Sequence, residues 1–307
     1  MTRYLIIRLA QGILALIVGT ILVFGLARLT GDPLDLMLPE TATPEQRQQM
    51  AEYLGLDKPI YQQYFVFIGN AVKGDFGRSL FFYRPVTQII LERLPATLEL
   101  GVTAMVFSML VAIPVGVYAA VKREKWQDGI IKVFAIFGQS APSFWLGIML
   151  ILVFAVNLRW LPAGGYGKIV HLILPALTVS TFSIAGFVRL TRSAMLDTLS
   201  TDYVRLARIK GLKERYVLWK HSLRNALIPV VTFAGFVLVN AFMGSVIVEV
   251  VFAWPGIGQL SYQALLWRDF PLIQGILVFS VGLFVVVNLA IDVLYVYLDP
   301  RVRFTRD

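Results

Sequence analysis

The side chains of this chain that could do chemistry are few and unevenly placed. There is no cysteine and there are only two histidines, His171 and His221. That excludes disulfides, thiolate nucleophiles, iron-sulfur clusters and zinc-thiolate sites. Both histidines stand remote in sequence from any cluster of carboxylates, so neither a Ser/His/Asp triad nor a histidine metal centre is expected within one chain. No G-x-x-x-x-G-K-[ST] loop is present, so nucleotide binding and hydrolysis are not expected of this chain, and no cofactor is expected in it. The polar groups that remain lie inside or beside apolar runs. They are Gln139, Ser140 and Ser143 in the stretch Gly138-Gln139-Ser140-Ala141-Pro142-Ser143, the carboxylates Glu249 and Asp292, and a basic segment around Asp202 to Gly211. Their chemistry is non-covalent, which makes transport the default and enzymatic activity unexpected.

The elements that must position them are dictated by composition. Of 307 residues, 57% are hydrophobic and 15% charged, and the mean hydropathy is +0.72, which places the chain in the membrane class. Six runs contain no Asp, Glu, Lys or Arg: Leu9 to Ala27, Leu100 to Val121, Val133 to Leu158, Ile169 to Val188, Asn225 to Val248 and Phe270 to Ile291. The hydrocarbon core takes about 20 helical residues, and the reading is an all-α polytopic protein with six transmembrane helices. A seventh run, Val250 to Trp267, carries Trp254-Pro255-Gly256-Ile257-Gly258 followed by Gln259, Ser261 and Gln263. It reads as an interfacial or re-entrant segment.

An even number of spans puts both termini on one side, and the basic residues say which. The N-terminus, residues 122–132, residues 189–224 and the tail after Tyr297 hold 18 basic and 7 acidic residues; the opposite side holds 10 of each. Both termini are therefore expected in the cytoplasm, and the net charge of +9 reads as a topology signal before a nucleic-acid one. Arg3 and Arg8 precede an apolar run too long for a signal h-region, so the first span is expected to stay uncleaved. The expected division is a first helix over 1–30, an external segment over 31–95, a five-helix core over 96–298 with a cytoplasmic coupling loop over 189–227, and a cytoplasmic tail over 299–307. An external connection of that length points to a functional or partner-facing role, and Pro44 to Leu54 reads as a short helix within it.

Three polar features admit two readings each. The proline-broken stretch at 138–143 is either a helix kink satisfied by neighbouring serines or a lining of the translocation path. Glu249, five residues before Trp254, is expected to snorkel or to bond a loop, yet remains a pathway candidate. Asp292 lies about 10 Å in from Asp299 at 1.5 Å per residue. Charges at such depth mark bundle-facing positions, and a proton relay is the alternative. In the basic segment, Tyr203, Leu206 and Ala207 follow i, i+3, i+4 spacing and Gly211 supplies a stop. A short helix with apolar and basic faces suits a partner groove; a topology determinant and an amphipathic helix on anionic lipid are the other readings.

At these residues the chain resembles the membrane-spanning permease subunits of ABC importers, in the dipeptide, oligopeptide, glutathione and nickel branch. The general coupling motif, E-A-A-x3-G, is met only by Ala207 and Gly211, with Arg205 and Leu206 in place of the Glu and first Ala. The branch's own version, D-Y-x-R-x-A-R-x-K-G, is matched by Asp202, Tyr203, Arg205, Ala207, Arg208, Lys210 and Gly211. Gly31-Asp32-Pro33, Leu54-Gly55-Leu56-Asp57-Lys58-Pro59, Gly74-Asp75-Phe76-Gly77-Arg78-Ser79, Thr191-Arg192-Ser193, Trp254-Pro255-Gly256-Ile257-Gly258, Arg268-Asp269-Phe270-Pro271 and Asp299-Pro300-Arg301 resemble the same branch's first permease subunit.

The resemblance implies a type I importer permease fold. It also implies a second homologous permease subunit, two ATPase subunits that bind ATP and Mg, and an external solute-binding protein. The 202–229 loop would couple to the ATPases, and the chain would form half of a pathway for peptide-like solutes, di- or oligopeptides or glutathione. Nickel or another small solute, an ATP-independent secondary transporter and a membrane-embedded enzyme are the competing readings.

Overall fold

The computed structural model describes residues 2–29, 34, 38, 42–54 and 56–298. Gly31, Asp32, Pro33, Gly55, Asp299, Pro300 and Arg301, and the side chain of Asp292, lie outside the described set. Among the described residues the secondary structure is helical, with one isolated β-bridge between Arg78 and Pro85. Among the described residues five helices are long and apolar enough to cross a membrane, six crossings if one bent pair is taken as a span. Large apolar side chains point outward along them, among them Leu14, Leu22, Leu110 and Phe134. A water-soluble fold would not tolerate so apolar an exterior, whereas lipid tails solvate it.

The chain divides into two compact units, Met1–Pro95 with Gly256–Ala290, and Ala96–Pro255 with Ile291–Asp307. In the first unit, α1 (Thr2–Leu29), α2 (Pro44–Leu54) and α3 (Ile60–Val72) are followed by the start of α4 (Val86–Val121). The unit is completed by α12 (Ile257–Leu266) and most of α13 (Phe270–Leu298). Helix α1 approaches α13 through Gly12 and Gly19, where an added Cβ would stand 2.8 Å from Val285 and 2.9 Å from Val281. Small residues at such spacing let membrane helices pack without polar help. Phe24 packs edge-on against Tyr64, whose hydroxyl lies 3.0 Å from that of Thr20, fastening α3 to α1.

Two of the motif stretches meet in this unit. Asp269 is fully buried. Its Oδ1 accepts the N–H of Leu272 at 3.2 Å, capping α13, while its Oδ2 accepts the Ser79 hydroxyl and the N–H of Phe81 at 3.1 Å. Phe81 stacks on Trp267 with centroids 3.8 Å apart. Replacing Asp269 by Ala removes a helix cap and orphans buried donors, an expected loss of about 2–4 kcal/mol. Asp269→Asn keeps only one of the two acceptor oxygens and sets an NH2 against the other N–H donor, so it should lose about half of that or more, as read by thermal unfolding in detergent.

The second unit is built around α7 (Ile169–Leu199), whose apolar window is half buried where that of α1 is 17% buried. Phe187 and Val188 of α7 pack with Ala112 of α4 and with Val230, Ala234 and Val237 of α10 (Leu223–Gly244). Ser180 donates to the Ala104 carbonyl at 3.2 Å and Ser108 to the Ser180 carbonyl at 3.3 Å. In lipid, where water cannot compete, such hydroxyls join helices.

Three expected spans change shape. The run Val133 to Leu158 is not one helix. It is α5 (Trp126–Ser140) and a second leg, α6 (Ser143–Leu150) continued by the π-helical Ile151–Asn157, bent by 103°. Ala141 precedes Pro142 and is extended, with ψ 127°, because the proline ring disfavours a helical residue before it. Helix α7 continues 11 residues beyond Val188, so the expected loop from residue 189 begins as helix. The fifth span stops at Gly244 and the chain resumes as α11 (Val246–Val251), so Asn225 to Val248 is not a single helix either. The run Val250 to Trp267 is broken between α11 and α12, in keeping with its reading as a non-spanning segment.

Candidate coupling surface and pathway lining

Helix α8 (Asp202–Ile209) follows α7 after Ser200 and Thr201. Asp202 sits in its first turn and Arg208 in its last, each where the helix dipole favours its charge. The end is fixed by backbone geometry. Gly211 has φ +76°, its N–H bonds the Arg208 carbonyl at 2.9 Å, and the N–H of Leu212 bonds that of Ala207 at 3.4 Å. This pair of bonds is a Schellman stop, which asks for a left-handed residue and therefore favours glycine.

The residues noted at i, i+3, i+4 spacing divide between two faces of α8. Val204 and Ala207 are buried against Val217 and Leu199, whereas Tyr203, Leu206 and Ile209 are 42%, 53% and 81% exposed. Of the seven motif residues, Ala207 therefore packs within the unit. Asp202, Tyr203, Arg205, Arg208, Lys210 and Gly211 lie at the surface. Arg208 pairs with Glu214 at 2.8 Å, and this carboxylate holds the guanidinium above its ordinary pKa. Arg205 reaches Asp202 at 3.5 Å, and the Tyr203 hydroxyl accepts from Asn225 at 2.7 Å. The result is an apolar stripe, Tyr203, Leu206 and Ile209, rimmed by fixed basic groups. Beyond α8, helix α9 (Glu214–Tyr216) runs through the π-helical Val217–Ser222 into α10.

The pathway candidates separate. Gln139, Ser140 and Ser143 stand together at the α5/α6 corner. Ser140 and Ser143 are exposed and Gln139 half-buried, its Oε1 accepting from Arg189 at 3.3 Å. Glu249 is elsewhere and does not snorkel. It is fully buried on α11, with Oε1 accepting from Thr97 at 3.0 Å and Ser245 at 2.8 Å. Hydrogen bonds of this kind remove the cost that would drive a carboxylate to an interface.

Two features escaped sequence reasoning. Trp254 is buried, donates its indole N–H to the Ala96 carbonyl at 2.8 Å and meets Tyr166 edge-on. Burial and the neighbouring Glu99 push the Tyr166 phenol up. Asp128 is fully buried between Arg192 and Lys132. Its position in a basic segment, four residues before Lys132, was the available signal. In the first unit, an open cavity of about 800 Å³ is lined by residues that include Lys58, Asp75 and Arg78. Among the described residues, no group of three His, Asp or Glu is placed to hold a metal.

Helices with so apolar an exterior make this a polytopic membrane protein, and comparison with known proteins places it. Residues 112–304 match the family described as binding-protein-dependent transport system inner membrane component, and residues 1–101 match that family's N-terminal region. The chain belongs to this family of ABC importer permeases. The oligopeptide transport system permease protein AppB of Bacillus subtilis is 42% identical over 99% of this chain and 100% of its own length. The glutathione transport system permease protein GsiC of Escherichia coli K12 is also 42% identical, over 99% of this chain and 100% of its own. Among solved structures, the inward-facing MetNI methionine ABC transporter shares the fold, with a TM-score of 0.58 and 20% identity over 69% of this chain and 97% of that one. The family is a transport component of the inner membrane, not an enzyme, and ATP hydrolysis belongs to a separate subunit.

Proposed function

We propose that this chain forms half of the pathway of an importer for peptide-like solutes, with di- and oligopeptides or glutathione as the solute class. Support comes from relatives named for those solutes at 42% identity across the full chain. The observation that carries the coupling assignment is the exposed stripe of Tyr203, Leu206 and Ile209 beside a fixed basic rim. A monomeric surface has little reason to expose such a patch to water.

In this reading a second, homologous permease completes the pathway, and two ATPase subunits, holding ATP and Mg, each receive one such helix. Both termini lie in the cytoplasm, because the basic excess falls on that side. Residues 31–95 face outward, and the open cavity that Lys58, Asp75 and Arg78 help to line belongs to the surface that receives the solute-binding protein. ATP-driven closure of the ATPases moves α8, and the bundle turns outward to accept solute; hydrolysis resets it. Ser140 and Ser143, exposed at a broken helix, are the residues of this chain best placed to face the solute, with Gln139 beside them. Glu249 serves that role only through the groups it holds.

Affinity purification of the tagged chain from its membrane should bring down a second permease and ATP-hydrolysing subunits. The reconstituted assembly should take up labelled di- or oligopeptides or glutathione only with ATP and a binding protein. Uptake by the chain alone, driven by an ion gradient, would overturn the assignment; nickel-chelate uptake without peptide uptake would overturn the solute class.

A further inference from the structure

Asp128 is buried in the first turn of α5, and Arg192 meets it from α7 in a two-point fork, Nε to Oδ1 at 2.7 Å and Nη2 to Oδ2 at 2.8 Å. Lys132 adds a contact at 2.9 Å and the N–H of Glu124 another at 3.3 Å. The same two helices are held together farther along. At Gly138 an added Cβ would stand 3.3 Å from the Thr181 carbonyl, and Gln139 accepts from Arg189. The antiparallel pair α5/α7 is thus fastened near both ends of α5. One end of the pair leads through Ser200 and Thr201 into α8. The other end is the 103° corner at Ala141-Pro142, with Ser140 and Ser143 on either side.

We infer that the Asp128–Arg192 fork makes α5 and α7 one rigid lever that carries displacement of α8 to the Ala141-Pro142 corner, and that both residues are positioning residues of the transport cycle. For stability alone, a buried ion pair is commonly matched or bettered by apolar residues of the same volume. What a bidentate guanidinium-carboxylate contact supplies is direction: it fixes angle and register, which apolar ridges in grooves do not. Register is what a lever between an outside motor and an inner corner requires. The inference rests on the reading of α8 as the coupling helix.

The test uses the complete importer in proteoliposomes with Asp128→Asn and Arg192→Lys, which keep size or charge but lose the fork. Uptake per ATP hydrolysed is expected to fall at least about fivefold, while binding-protein-stimulated hydrolysis stays within about twofold. A purely structural role would lower both together or neither, and either result would overturn the inference. An independent arm exploits the absence of native cysteine. Gly138→Cys with Ala185→Cys places Cβ atoms about 3.8 Å apart, inside the disulfide range. A lever that moves as one body should keep at least about half its uptake when this pair is oxidised. Uptake lost on oxidation and restored by reductant would show that the pair must flex, which sinks the lever even if the first variants fold poorly. Failure of the unmodified chain to assemble with ATPase subunits would strike the coupling reading instead.

Discussion

Leu206→Asp is expected to abolish most ATP-driven uptake while leaving the chain folded in the membrane. The side chain is 53% exposed at the middle of the α8 stripe, between Tyr203 and Ile209, and belongs to no buried core cluster, so its replacement removes little internal packing. A carboxylate there would be buried unpaired in a docked interface, and central apolar anchors of interfaces are worth about 2 kcal/mol or more, some 30-fold in affinity. Co-purification of ATPase subunits and uptake should therefore fall together, with thermal unfolding of the isolated chain unchanged. Gly211→Val weakens the same helix by another route. Nothing stands within 4 Å of a Cβ at that position, yet φ is +76°, so the penalty of about 1–2 kcal/mol is backbone strain alone. It should loosen the end of α8 and reduce uptake less than Leu206→Asp does. Normal uptake in Leu206→Asp would show that this stripe does not dock.

Trp254→Ala should destabilise the fold more than any other single change considered. The indole is buried with Ala96, Leu100, Leu172 and Ala176 and holds the Ala96 carbonyl. Truncation leaves a large cavity and an orphaned acceptor between α4 and the turn after α11, an expected loss of about 3–5 kcal/mol. Trp254→Phe, which keeps an aromatic ring and loses the donor, should cost about 1–2 kcal/mol. Chemical or thermal unfolding in detergent separates the two variants, and a loss under about 1 kcal/mol for Ala would mean that the site collapses around the gap.

Much of this architecture was legible because lipid imposes a simple rule on sequence. Charge-free runs mark helices that must satisfy their own backbone, so the spans beginning at Leu9, Leu100, Ile169 and Phe270 emerge near their places. The motif stretches were also legible, but as strings without reasons. Only contact explains why Gly74 to Ser79 and Arg268 to Pro271 travel together: Ser79 and Asp269 share a buried hydrogen bond across 190 positions of chain. The bend at Pro142 was visible as a broken helix. Its size was not, because a proline permits a range of angles and neighbouring helices select one.

By itself the sequence determined the membrane class, the polarity of the charge distribution and the position of the short helix that ends at Gly211, since each depends on composition or local spacing. Tertiary structure alone decided which residues of that segment face out. In an eight-residue helix, Val204 with Ala207 and Tyr203 with Leu206 form adjoining apolar stripes of equal spacing, and only the arrival of Val217 and Leu199 chooses the first pair for burial. The same holds for the carboxylates. By spacing, Glu249 would snorkel or bond a loop and Asp128 would be one more loop charge; partners 152 and 64 residues away in sequence stabilise both in buried positions. Whether a charge can leave solvent is a property of the groups that surround it, and sequence spacing does not carry that information.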